Sequence, residues 1–181
     1  MTDFGVEIDL GQIDNLERRV NEIPGKAQVA FNRTVASTGR RLRTAAVRDL
    51  AKATGAGQTR LRGRVRLSGR RRDDGRAYLY LYLNDLPATA FLTSAQRTAQ
   101  WRRRKGVKVR GRTYPRSFWI RPRGNNRPLA FQRFGPGRRN IERIFVPIET
   151  YGRLVAEQTR QRVPDIFWPE YERQLLLALS K

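Results

Sequence analysis

The stretch Ala77 to Leu83 (AYLYLYL) constrains this chain most. Ala77, Leu79, Leu81 and Leu83 fall on one side and Tyr78, Tyr80 and Tyr82 on the other, a two-residue period that predicts a strand. One strand cannot stand alone in water. It needs neighbours along its edges, and its aliphatic face needs a cover.

The rest of the sequence supplies both. Residues 26 to 53 carry Ala27, Ala30, Phe31, Val35, Leu42, Ala46 and Leu50 mostly on one helical stripe, with Arg33, Arg40, Arg41, Arg43 and Arg48 opposite. Thr54-Gly55-Ala56-Gly57 stops that helix. A shorter amphipathic helix is predicted over residues 11 to 23, through Ile13, Leu16, Val20 and Ile23, ending at Pro24-Gly25. Two more helices are expected at the C-terminal end, residues 149 to 162 and 167 to 179, separated by Val163-Pro164. Between them lie strand candidates at 64 to 67, 106 to 110, 116 to 121, 129 to 134 and 141 to 148. Asp74-Gly75, Gly111-Arg112-Thr113, Gly124-Asn125-Asn126 and Phe134-Gly135-Pro136-Gly137 supply turns, and residues 84 to 105 read as irregular. The expected fold class is α+β, an antiparallel or mixed sheet over residues 64 to 146 packed against the long helix and the C-terminal helices. An acidic segment, residues 1 to 22, precedes a single domain over 23 to 181 with arginine-rich loops at about 57 to 76 and 97 to 127.

Much chemistry is excluded by what is missing. Cysteine and histidine are absent, which removes disulfides, thiol chemistry, cysteine- or histidine-based zinc sites and any imidazole acid or base. There is no GxxxxGK[ST] phosphate loop and no strand–GxGxxG–helix context. A metal-dependent nuclease needs converging carboxylates. Between residues 26 and 141 only Asp49, Asp73, Asp74 and Asp85 are available, so Glu142 or Glu149 would have to be brought in by the fold. The expectation is a non-enzyme with no metal, no cofactor and no small-molecule substrate. No apolar run approaches the roughly 20 residues of a membrane span and no signal peptide opens the chain, so a cytoplasmic, membrane-free protein is expected.

Charge is the strongest functional signal. The 38 Lys and Arg residues against 16 Asp and Glu give a net charge of +22, and 33 of the basic residues are arginine. Residues 1 to 25 carry a net −4, whereas residues 26 to 141 hold 30 basic residues against four acids. Self-repulsion on that scale calls for a polyanion or an acidic partner surface. The candidate contacts fall in two clusters. One holds Arg60, Arg62, Arg64, Arg66, Arg70, Arg71 and Arg72; the other holds Arg102, Arg103, Arg104, Lys105, Lys108, Arg110 and Arg112. Trp101, Tyr114, Phe118 and Trp119 are interleaved with the second. Such segments suit contact with a nucleic-acid backbone, or with acids on another protein, including residues 1 to 25 of a second copy. The tyrosine stripe either stacks bases or is a sheet face covered by a helix or a neighbouring subunit. No helix-turn-helix, zinc finger or RNP motif points to sequence-specific reading.

The order of these pieces resembles the phage minor tail protein Z family, the tail completion proteins of long-tailed bacteriophages. Ala30-Phe31-Asn32-Arg33-Thr34 is similar to that family's alanine-x-asparagine-arginine-threonine in its long first helix. The basic stretch Thr59 to Leu67, the strand Ala77 to Leu83, Leu86-Pro87 through Phe91, Gly106-Val107-Lys108-Val109 and Ser117-Phe118-Trp119-Ile120 follow in order. Leu129-Ala130-Phe131-Gln132-Arg133 resembles its hydrophobic-Phe-x-Arg, and a strand at 141 to 148 with closing helices completes the layout. The resemblance runs from about residue 23 to 181, and the sequence departs from the pattern after Phe134. It implies a structural virion protein of the tail and neck that completes the top of the tail and helps join it to the head. A homo-oligomeric, hexameric ring is implied, with other tail and neck proteins and the genome DNA as partners and assembly in the host cytoplasm. The competing reading is a non-sequence-specific nucleic-acid-binding protein of ribosomal or chromatin type.

Overall fold

The long N-terminal helix forms as its stripe predicts. α1 spans Lys26–Thr54, and its buried residues recur at three- and four-residue steps through Ala27, Ala30, Thr34, Val35, Thr38, Leu42, Ala46 and Leu50. At 29 residues it is about 43 Å long. Gly39 lies on the buried side and does not interrupt it. Buried Thr34 and Thr54 donate their hydroxyls to the carbonyls four residues back, at 2.9 and 2.6 Å, so neither is left unsatisfied in the core. Gly55 ends the helix in the left-handed region (φ 72°), its N–H bonding Ala51 O at 2.8 Å.

A computed structural model describes residues 5–9, 25–68, 77–102, 106–121, 128–137 and 139–179. The helix expected over 11 to 23, the turn tip at Asp74-Gly75, the turn at 124 to 126, and Arg70, Arg71, Arg72, Arg103, Arg104 and Lys105 lie outside those residues.

The fold is α+β, with small antiparallel sheets where one larger sheet was expected. The first contains the alternating strand at its centre. β1 (Gly5–Asp9), β2 (Val65–Leu67) and β3 (Tyr78–Tyr82) are ordered β1-β3-β2, with Val6 opposite Leu81 and Val65 opposite Leu81 on the other edge. A one-turn helix, α2 (Gln58–Leu61), leads into β2. The aliphatic side of β3 is buried as predicted, with Leu79 and Leu81 fully enclosed, while its three tyrosines are half-buried. The main core joins that side to α1 and to two C-terminal helices, α4 (Glu149–Gln161) and α5 (Val163–Leu179). α5 starts four residues earlier than expected. Pro164 sits in its first turn, where the missing N–H costs little, and Pro169 is carried inside the helix.

The described part of the stretch expected to be irregular, residues 84 to 102, holds regular elements. β4 (Leu86–Pro87) and a 3₁₀ turn over Ala88–Phe91 precede α3 (Ser94–Arg102). Thr93 and Gln96 close a reciprocal cap on α3. The Thr93 N–H donates to Gln96 Oε1 at 2.9 Å and the Gln96 N–H to Thr93 Oγ1 at 3.2 Å. Thr-x-x-Gln is a readable helix start, and here it outweighs a low apolar periodicity.

A second, smaller core holds Ala88, Val107, Val109, Ala130, Ile144 and Val146. Around it lie the hairpin β5 (Lys108–Val109) and β6 (Arg112–Thr113), and a sheet ordered β7-β8-β9 from Ser117–Ile120, Leu129–Arg133 and Ile141–Arg143. The strand expected over 141 to 148 is divided. β9 pairs with β8, β10 (Phe145–Val146) pairs with β4, and Ile144 between them bonds Ala130 O through its N–H and Ala88 N through its carbonyl. The segment thus changes sheets at a buried residue.

Candidate nucleic-acid and partner interface

The resemblance motif Ala30–Thr34 is divided by the helix into structural and exposed parts. Ala30 and Thr34 face the core, and Phe31 meets Phe167 and Tyr171 of α5 edge-on at 5.8 and 6.4 Å. Arg33 turns outward into a groove of about 350 Å³ between α1 and α5, with Ser37, Arg40, Glu170, Arg173 and Gln174. Glu170 is buried there, 6% exposed, and accepts from Arg173 at 2.6 and 3.2 Å and from Gln174 at 3.0 Å, with Arg41 at 3.8 Å. The Arg173 bonds, then Gln174, outweigh burial and hold its carboxyl down at about 2, from an ordinary 4.5.

Not every arginine of the basic helix face is free for partners. Arg43 donates Nε to Val65 O at 3.0 Å and Nη2 to Arg62 O at 3.4 Å, tying α1 to the entry of β2. Arg97, the first residue of the arginine-rich stretch expected at 97 to 127, is 9% exposed and donates Nη2 to Ser94 Oγ at 3.0 Å within α3.

The remaining candidates stand on two parts of the molecule. Arg60 and Arg62 are exposed around α2, Arg64 is half-buried, and Arg66 is exposed on β2 with its guanidinium 5.5 Å from the Tyr82 ring centre. They border the main core. Arg102, Lys108, Arg110 and Arg112 are exposed on the side of the smaller core. There Gln100 bonds both backbone groups of Lys108, at 2.9 and 3.0 Å, setting the α3 terminus with Arg102 against β5. Arg102 is therefore the last residue of a helix, not part of an irregular stretch.

Three of the four aromatic residues interleaved with the second cluster, Trp101, Tyr114 and Phe118, are already engaged by arginines, while Trp119 packs on the smaller core. Arg112 lies over Tyr114, Arg121 over Trp101, Arg133 over Phe118, Arg143 over Phe145 and Arg110 over Tyr151, at 4.7 to 5.8 Å. With Arg66 over Tyr82 that makes six such pairs among the described residues, where about two or three are usual for this length. The rings act as seats for guanidinium groups. Arg112–Tyr114 and Arg143–Phe145 are two residues apart, but the other four pairs are 15 or more apart in the chain and were not readable from it.

The described acids neutralise little of this. The ion pairs among the described residues are Arg41 and Arg173 with Glu170, Arg153 with Glu149, and Arg162 with Asp49. None of Arg60, Arg62, Arg64, Arg66, Arg102, Lys108, Arg110 or Arg112 pairs with a described carboxylate. Among the described residues no cluster of acids is placed to hold a metal, and no helix is long and apolar enough to cross a membrane.

Long basic helix, small antiparallel sheets and closing helices occur in the order that the sequence resemblance requires. The chain matches the model of the prophage minor tail protein Z (GPZ) family over residues 5–181. It belongs to that family. No curated protein and no solved structure matches it. Membership gives the chain a structural role in the phage tail, a place in the virion and other tail proteins as partners. The match also takes in residues 5 to 22, which the resemblance begun at residue 23 left aside. β1 supplies a reason, because residues 5–9 form the edge strand of the first sheet.

Proposed function

We propose that this minor tail protein completes the top of the tail and helps join it to the head, as a ring of copies around the DNA channel. The observation that carries the reading is a surface rich in arginine of which the described carboxylates neutralise little. Such a surface stays self-repelling until partner acids or DNA phosphates meet it. In a neck the duplex supplies one negative charge per roughly 1.7 Å of axis, and any acids on the neighbouring tube and connector would supply the other kind of partner. Six copies would match the sixfold tail tube, and ring closure needs a heterologous contact between two different patches of the chain. Acids of residues 1 to 25 from one copy meeting arginines of the next supply such a contact, although β1 commits residues 5–9 to the sheet of its own chain. The role is structural, with no reaction assigned.

Electron microscopy of particles made with and without the protein tests this reading. Particles lacking it should show filled heads and separate tails, and complete ones a sixfold density between tail and head that this chain fits. Joined, infectious particles without it would overturn the reading. The competing reading, a cellular nucleic-acid-binding protein, expects no fixed copy number in particles.

A further inference from the structure

The β5–β6 hairpin combines backbone strain, rigid anchoring and charge that no described carboxylate pairs. Its turn, Arg110-Gly111, has positive φ at both residues (51° and 78°), the two-residue geometry that suits the twist of a hairpin. Asparagine, aspartate or glycine occupies the first of these positions at lower cost than arginine. Arg116, just beyond β6, is likewise left-handed at φ 52°. Non-glycine residues in that region persist where the surroundings hold them, and they concentrate at functional sites.

The surroundings here are specific. Val107 and Val109 are 0% and 2% exposed in the smaller core, Gln100 clamps Lys108 from α3, and Arg110 reaches α4, donating Nη2 to Tyr151 Oη at 3.1 Å. The Arg110 guanidinium lies 4.7 Å from the Tyr151 ring centre, and that of Arg112 5.4 Å from Tyr114. These cations are positioned by rings, and no described carboxylate pairs with either. A stacked guanidinium keeps edge N–H groups for an outside acceptor, and its order is established before a ligand arrives.

We infer that this hairpin, with Arg102 at the adjoining α3 terminus, grips the phosphate backbone of duplex DNA without reading its sequence. The inference deepens the proposed neck role and rests on it. Phosphate is favoured over a protein surface because residues 110 to 113 are all exposed and none has an apolar side chain. Protein interfaces are built on a desolvated, largely apolar centre, whereas phosphate contact needs charge and N–H donors.

The test is binding of a short labelled DNA duplex to the purified full chain across a salt series. Arg110→Ser with Arg112→Ser should lower the slope of log K against log salt by about two units, close to 0.9 per lost phosphate contact. Arg110→Lys with Arg112→Lys should keep the slope. Arg60→Ser with Arg62→Ser should keep more of it than the hairpin serines do. Thermal midpoints matching the parent would show that the variants fold. An unchanged slope in the hairpin serine variant, or an equal drop in the Arg60/Arg62 variant, overturns the inference. So does full competition by millimolar inorganic phosphate, which would indicate a small-anion site. If the hairpin serine variant binds DNA normally yet leaves tails unjoined, the hairpin is a protein contact and the inference falls while the neck role stands. Normal joining without the protein overturns the neck role and leaves the binding result to be read separately.

Discussion

Gly152 of α4 lies so close to Leu83 that a Cβ built on it would sit 2.0 Å from Leu83 Cδ2 and 2.9 Å from Cδ1. The helix reaches the end of β3 because residue 152 has no side chain, and Leu83, 3% exposed, has little room to move. Gly152→Ala should therefore destabilise the fold by about 1–3 kcal/mol, against the usual helical preference for alanine. Leu83→Ala in the same chain should recover part of that loss, so the double variant is more stable than the sum of the singles requires. Denaturant midpoints of the four proteins measure this coupling, and strictly additive costs would refute the contact.

Glu170 makes stability depend on acid. Its carboxyl titrates near 2 when folded and near 4.5 when unfolded, so its contribution is complete above the unfolded value and is lost as pH falls from 4.5 toward 2. The partners Arg41 and Arg173 are well exposed, so the net effect is on the order of 2 kcal/mol, below what the full shift implies. Glu170→Gln should lower the melting temperature at neutral pH and converge with the parent near pH 2. Parallel melting curves across that whole window would show that the network does not stabilise the folded state.

Arg43 and Arg48 sit on the same basic helix with different duties. Arg43→Lys gives up the planar fork that bonds Val65 O and Arg62 O and should cost about 1 kcal/mol. Arg48, exposed on the same helix, should accept lysine within about 0.5 kcal/mol. Equal stabilities for the two variants would remove the structural role assigned to Arg43.

The α3 cap gives a local prediction. Thr93→Ala removes the acceptor for the Gln96 N–H and should cost about 1 kcal/mol. Hydrogen exchange should speed up at the first turn of α3 and leave α1 unchanged. The consequence is functional as well as local, because α3 carries Gln100 onto Lys108.

What the sequence made legible is what period and punctuation encode. The alternation at residues 77 to 83 and the stripe of α1 have local causes, and both elements occur with their buried faces as read. The α3 helix was legible in principle through Thr93 and Gln96, but its apolar pattern is weak and four basic residues at its end resemble a loop. The division of residues 141 to 148 was not legible, since Ile144 changes partners through bonds to Ala130 and Ala88, both far away in the chain. The arginine clusters were visible as charge. Their sorting was not, because whether an arginine is a strut like Arg43, a seated cation like Arg110 or a surface charge like Arg102 depends on residues brought in from elsewhere.

The run Arg102-Arg103-Arg104-Lys105 separates two ways in which a neck ring would use its charge. Arg102 closes α3, where a cation also suits the negative end of the helix dipole. If the run faces the channel, it holds packaged DNA electrostatically, and each copy in a ring repeats the charge. If it faces the tube or the connector, it clamps acidic protein surfaces. Replacing all four residues with serine leaves the Gln100 clamp and the Thr93 cap in place, so the fold should survive with at most about 1 kcal/mol lost from the helix end. The lumen reading expects tails that join heads normally while packaged DNA leaks or stops short. It is measured by counting joined particles in micrographs and by nuclease protection of the packaged genome. Full protection in normally joined particles would leave the run without either duty, and a failure of joining itself would assign it to the protein clamp.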